Sequence, residues 1–164
     1  EKKPDIQKKL DFYYEKSSDV NLTKTSRLKF IDSIEQLVAS SDYEDSTKIK
    51  NYFKIANRYF GVLEYEKYRD ISNKILEISK SNNDSLNIAR AEYYLGDYYE
   101  AKTQLDTAFN YYNQSGKIYK QLNDTLNYGN LSLFKAGILY DVGNFDEGEI
   151  QGINAIGPSI ARIT

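Results

Sequence analysis

Apolar residues recur at intervals of three and four along most of the chain. Tyr52, Ile55, Ala56 and Tyr59 fall on one helical face, and Ile71, Ile75 and Ile78 on another. That spacing belongs to amphipathic α-helices rather than strands. Such runs, about fifteen to eighteen residues long, alternate with polar breaks at "GVLEYEK", "AKTQLDT" and "DVGNFDE". Short breaks between amphipathic helices predict antiparallel pairs.

The pairs repeat. Superposing Gly96 on Ala136 aligns Asn83-Asp84-Ser85-Leu86-Asn87 with Asn123-Asp124-Thr125-Leu126-Asn127 without a gap, a period of forty residues. One period earlier lies Ala56, with "EDST" (Glu44 to Thr47) as the matching turn after a one-residue slip. The helix pairs are therefore expected at 45–81, 84–121 and 124–164. A degenerate copy is expected at 5–41, with "IQKKLDFYYEK" as its first helix and Phe30, Ile34 and Leu37 on one face of its second. A period of this length is the mark of a solenoid.

The repeated pentapeptide has a mechanical reading. Asp, Ser and Thr oxygens accept hydrogen bonds from the free N–H groups of a helix's first turn, and Asn tolerates turn conformations. The motif is thus expected to start each first helix. Asn83 and Asn123 also begin Asn-x-Ser/Thr sequons, for which capping is the better explanation.

Composition narrows the function. The 164 residues carry a net charge of −2 and no basic block, which argues against nucleic acid as a partner. No stretch is apolar enough to span a bilayer, so no membrane contact is expected of this segment itself. There is no cysteine and no histidine, which removes disulfides, thiol nucleophiles, imidazole bases and the usual transition-metal ligands. Neither a cofactor nor a metal is expected. The interior must draw heavily on sixteen tyrosines and seven phenylalanines, since methionine and tryptophan are absent. The chain begins at Glu1 rather than methionine, from which a mature form or an excised piece of a longer protein is expected.

The third copy reads Leu95-Gly96, two residues, Tyr99, eight residues, Ala108, three residues, Tyr112, two residues, Ser115. It resembles the tetratricopeptide repeat, in a variety with a period near forty. The second copy is similar through Ala56, Tyr59, Tyr65 and Ile75 but has Tyr68 at a position the family keeps small. The fourth is similar through Ala136, Gly143, Phe145, Gly148 and Ala155 but has Lys135 at an apolar position. The resemblance implies an all-α, right-handed superhelix (an α-solenoid) of about four antiparallel helix pairs. Gly96, Ala108 and Ser115 would be its close-approach positions, and Tyr99 and Tyr112 its fillers. In texture, "DSTKIKNYFKIANRYF" and "SLNIARAEYYLGDYYEAKTQLDTAFNYY" resemble the repeat regions of Bacteroidetes sensor histidine kinases and related regulators. That likeness implies a periplasmic or other extracytoplasmic input domain, with a cytoplasmic protein as the alternative.

In the tetratricopeptide family the first helix of each pair lines a concave groove. Carried over by repeat position, the candidate peptide contacts are Lys50, Phe53, Asn57 and Phe60, then Arg90, Tyr93, Asp97 and Glu100, then Asn130, Leu133 and Tyr140. A groove with charges and rings suits a partner protein's peptide or helix. The tyrosine clusters are assigned to packing, and the pairs Glu64/Glu66 and Asp146/Glu147 to solvated turns. The glycine-rich ending "EGEIQGINAIGPSIARIT" presents Ile150, Ile153, Ile156, Ile160 and Ile163. A helix with that many glycines needs a neighbour, so further repeats or self-association are expected at this edge. The segment is read as a non-catalytic interaction or sensory module of a signalling protein whose full length would supply any kinase domain. The alternatives are a freestanding adaptor and, last, an enzyme working with carboxylates such as Asp97 and Glu100.

Overall fold

The computed structural model describes the backbone of residues 3–160 and the side chains of residues 5–155. Every regular element among them is an α-helix: α1 (Lys3–Ser18), α2 (Lys24–Ser40), α3 (Asp45–Gly61), α4 (Tyr65–Ser81), α5 (Ser85–Ala101), α6 (Leu105–Gln121), α7 (Thr125–Asp141) and α8 (Phe145–Ile160). The chain divides into two compact units, Glu1–Ile78 and Ser79–Thr164. In unit 1, α2 packs on both α1 and α3. In unit 2, α5 lies along α6, α6 touches α7, and α7 lies along α8.

A single turn design joins the helices from α3 onward. The residues Leu63, Asn83, Thr103, Asn123 and Gly143 recur at identical intervals and all have left-handed φ, between 53° and 79°. The next residue in each case sends its N–H back into the preceding helix: Glu64 to Tyr59 O, Asp84 to Ser79 O, Gln104 to Tyr99 O, Asp124 to Tyr119 O and Asn144 to Leu139 O, at 2.8–2.9 Å. This is the Schellman closure, which satisfies carbonyls that a helix end leaves free. Three residues then suffice to reverse the chain.

The pentapeptide fits this turn residue by residue. Its first Asn takes the left-handed position, which Asn adopts at little cost. The Asp is the cap: Asp84 accepts from the Asn87 N–H at 3.1 Å, and the Asn87 amide returns a bond to the other carboxylate oxygen at 2.7 Å. Asp124 and Asn127 repeat both distances. Ser85 and Thr125 are the first helical residues, so the capping oxygen comes from Asp alone. The final Asn, to which the sequence reading assigned no role, closes the loop. "EDST" does not reproduce the device, because Glu44 precedes α3 without a side-chain cap bond.

Tyrosine hydroxyls lie at the margins of both cores. In unit 1, Ile31, Ile34, Ile55 and Ala56 are fully buried, as is Tyr59. The Tyr59 hydroxyl lies 2.8 Å from Asp32 and 2.7 Å from Glu35 on α2. Those carboxylates are in turn paired with Lys67 and Lys74 of α4, each at 2.6 Å. In unit 2, Ala89, Ala108, Tyr112, Tyr119, Leu131 and Ile138 form the core. Ser115 joins the pair by donating to Ala89 O at 2.7 Å.

Gly96 and Tyr112 show why a small residue is needed. A Cβ on Gly96 would overlap Cε1 and Cδ1 of the Tyr112 ring. The ring cannot retreat freely, since it is buried and its hydroxyl is held by Asp97 at 2.8 Å and Glu100 at 2.6 Å. Two departures from the family pattern are also accommodated. Tyr68 is buried against Phe60, centroids 5.0 Å apart. Lys135 is buried with its Nζ 3.2 Å from Asn113 Oδ1 and 6.0 Å above Phe109. Of the C-terminal isoleucines, Ile150 and Ile153 are exposed. Ile156, Ile160 and Ile163 lie outside the described side chains.

Two stability predictions follow from these contacts. Thr103 is β-branched in a left-handed conformation, so Thr103→Gly should stabilise the protein by about 1 kcal/mol and raise Tm by about 2–4 °C; a melt unchanged or lowered would mean the turn is not as described. Conversely, Gly96→Ala should cost about 1–3 kcal/mol through overpacking against Tyr112, read as a lower urea midpoint, and an unchanged midpoint would refute the close approach.

Candidate functional site

The forty-residue repeat places Arg90, Tyr93 and Tyr94 of α5 at the same positions as Asn130, Leu133 and Phe134 of α7. In unit 2 these helices border an open groove of about 550 Å³. Tyr93 comes from α5 and Tyr119 from α6, while α7 supplies Asn127, Asn130, Leu131, Leu133 and Phe134. Leu133 is 55% and Phe134 39% exposed, so large apolar groups face solvent beside amides. Three rings form a cluster at its side: Tyr93 lies 5.9 Å from Tyr112 and 5.6 Å from Phe134, and Tyr112 lies 5.8 Å from Phe134. Ring spacings in this range are mutually attractive and hold the cluster in place.

Electrostatics fix what the rings present. Burial raises the Tyr93 phenol, and the neighbouring charge of Asp97, with which it shares a hydrogen bond, raises it further. Burial pushes Tyr119 up to about 12, against the pull of Arg90. Both hydroxyls therefore remain protonated donors across the neutral range. Arg90 is half-buried, with a guanidinium nitrogen 3.2 Å from Asn87 Oδ1.

Three of the residues expected from the sequence, Tyr93, Asn130 and Leu133, meet in this groove. Asp97 and Glu100 lie further along α5, where both accept the Tyr112 hydroxyl. Tyr140 is exposed but packs at a tilt against Phe145, centroids 5.8 Å apart. In unit 1, Phe53 corrects the expectation: it is 4% exposed and belongs to the core, because at its position the α3 face turns inward. Phe60 packs on Tyr65 and Tyr68 of α4. Lys50 is exposed, and Asn57 borders a second cavity of about 410 Å³ with Asp11, Tyr14, Lys54 and Arg58.

Tyr119, Asn127, Leu131 and Phe134 were not anticipated. Phe134 was in reach of the sequence, since the period pairs it with Tyr94 of the "EYYLGDYYE" cluster. Tyr119 was not, because it comes from a second helix. The acidic pairs behave as surface charges: Glu64 pairs with Lys24 and Glu66 with Arg69, both at 2.8 Å, and Glu147 takes a bond from Gln151. Among the described residues no three His, Cys, Asp or Glu side chains gather as a metal site, and no helix is long and apolar enough to cross a membrane.

Among the described residues of unit 2, the carboxyl of Glu92 and the amine of Lys135 are buried without lining the groove. Burial raises the Glu92 carboxyl above its usual range, against the attraction of Lys80, and its Oε2 has no hydrogen-bond partner among the described residues. The folded state thus holds the Glu92 proton to higher pH than the unfolded chain does. Between the ordinary carboxyl value and the raised one, folding binds protons, so this group's contribution to stability falls as pH rises. Glu92→Gln should therefore be more stable than the parent at neutral pH, with the advantage shrinking as pH falls toward the ordinary carboxyl range. Paired urea titrations across that range check this; an advantage that grows on acidification would contradict it.

No protein-family model matches the chain, and no curated protein does. Solved structures do. The chain is similar to the apo form of RapI, with a TM-score of 0.72 and 17% identity over 94% of this chain and 58% of that one. It is similar to aspartyl phosphate phosphatase F from Bacillus subtilis, with a TM-score of 0.74 and 12% identity over 94% of this chain and 41% of that one. BtubC (BKLC) from P. vanneervenii gives 0.69 and 12% over 82% and 55%. The chain spans about half the length of these structures. Together with the eight helices described above, the likenesses show the fold class: an all-α helical-repeat solenoid.

Proposed function

We propose that this chain is a non-catalytic recognition module that holds a peptide or helix of a partner protein in the unit 2 groove. One observation carries the reading: exposed Leu133 and Phe134 stand beside Asn130 in an open groove of about 550 Å³ that Tyr93 also lines. Apolar anchors with a few placed polar groups are what helix-in-groove and extended-peptide recognition require. The helical-repeat fold shared with RapI supports the same reading at the level of architecture.

The wider setting we infer is the input part of a bacterial signalling protein, a sensor histidine kinase or transcriptional regulator, placed outside the cytoplasm. It rests on the texture of α3, α5 and α6. A freestanding adaptor is the second reading; it rests on the same groove. For catalysis, the carboxylates the sequence offers are engaged: Asp97 and Glu100 both hold Tyr112, whose ring supports the groove.

The test is selection of peptides on this chain from a displayed random library, followed by affinity measurement on variants. Leu133→Asp should weaken the selected peptides at least about tenfold, or about 1.4 kcal/mol, while Asp at Lys117, an exposed α6 position, leaves them unchanged. Peptides that bind Leu133→Asp as well as the parent, or no enrichment at all, would overturn the assignment of the groove.

A further inference from the structure

Within unit 2 the helices α5 and α7 begin with the same capping device, and in α7 it is left incomplete. At the start of α5, Asp84 takes the Asn87 side-chain amide at 2.7 Å, and Asn87 Oδ1 in turn accepts a guanidinium N–H of Arg90 at 3.2 Å. A carboxylate, an amide and a cation thus form a closed chain of bonds. At the start of α7, Asp124 and Asn127 repeat the first bond at 2.7 Å. One repeat after Arg90, however, stands Asn130. Among the described residues Asn127 Oδ1 accepts no hydrogen bond and the Asn130 side chain makes none.

Both open groups line the unit 2 groove, with Leu133 and Phe134 one turn further along α7. None of the side chains that line it, Tyr93, Tyr119, Asn127, Asn130, Leu131, Leu133 and Phe134, carries a charge. Asp124 therefore lacks the cation that the chain of bonds brings to Asp84. Lys120 does not make the difference between the two copies, because Lys80 holds the same repeat position before Asp84. Arg90 lies near the Tyr119 hydroxyl but is already bound to Asn87. On the α5 side, Asp97 shares a hydrogen bond with Tyr93 and adds a second carboxylate beside the groove.

We propose that the partner segment held in this groove carries an arginine whose guanidinium donates to Asn127 Oδ1 beside Asp124, the place that Arg90 takes at Asn87. The inference rests on the groove reading above and names the chemistry of its partner. An amide oxygen accepts any N–H, but only a cation also answers the carboxylates of Asp124 and Asp97, and a charge-assisted hydrogen bond is about twice as strong as a neutral one. Arginine fits better than lysine, since its rigid fork of N–H groups can direct one donor at Asn127 and another at Asn130 Oδ1. Leu133 and Phe134 then receive the apolar part of the same segment.

The experiment compares peptides selected from a displayed random library on the parent chain with their binding to Asn130→Arg, which supplies the missing arginine from the protein itself. Asn130 is exposed, so the variant folds. Peptides enriched on the parent should share an arginine, and replacing it by leucine should weaken them at least about tenfold. On Asn130→Arg that advantage of the arginine peptide over its leucine counterpart should vanish. Enriched peptides without a shared arginine, an advantage that survives in Asn130→Arg, or an equal loss of both peptides on the variant would overturn the inference while the groove reading stands. No enrichment on the parent would overturn both, so the two failures are told apart.

Discussion

The Schellman turn is the constraint on which the structure from α3 onward depends. One residue in the left-handed region lets the next N–H reach back to the helix it has just left. The reversal takes three residues, and in unit 2 it lays α6 along α5 and α8 along α7. Because the turn recurs at a fixed interval, equivalent residues of α5 and α7 in unit 2 occupy equivalent positions. Tyr93 and Leu133 reach the same groove for that reason, one full repeat apart.

Packing converts this regularity into a particular surface. Gly96 lets α6 bring Tyr112 against α5, and the Tyr112 hydroxyl then holds Asp97 and Glu100. The same ring meets Tyr93 and Phe134, so the close approach within one pair supports the groove beside the next. Unit 1 uses the same phenol-to-carboxylate arrangement at Tyr59, there balanced by Lys67 and Lys74. In both units a tyrosine spans from apolar core to charged margin, the role that methionine or tryptophan cannot fill here because neither occurs.

Much of this was legible in the sequence. Helical periodicity and the recurring pentapeptide located the helices, since capping and turn chemistry act over a few residues and leave a local signature. The close approach at Gly96 was legible as well. What escaped depends on which way a helix face turns. Phe53 matches Tyr93 in repeat position yet is buried, because the register of α3 against its neighbours decides its exposure and a repeat count does not. The cavity beside Lys54, Asn57 and Arg58 escaped for the converse reason: α1 brings Tyr14 and Asp11 to them across a long stretch of chain. Glu44 failed as a cap because "EDST" resembles the pentapeptide in composition without placing Asp at the capping position.

The most direct test is amide hydrogen exchange at Glu64, Asp84, Gln104, Asp124 and Asn144, measured residue by residue by NMR. The account predicts that all five exchange as slowly as the helices they close onto, since each N–H is bound to a carbonyl of the preceding helix. Exchange at these amides as fast as in an open loop would contradict it, and with it the register that brings Tyr93, Asn130, Leu133 and Phe134 together.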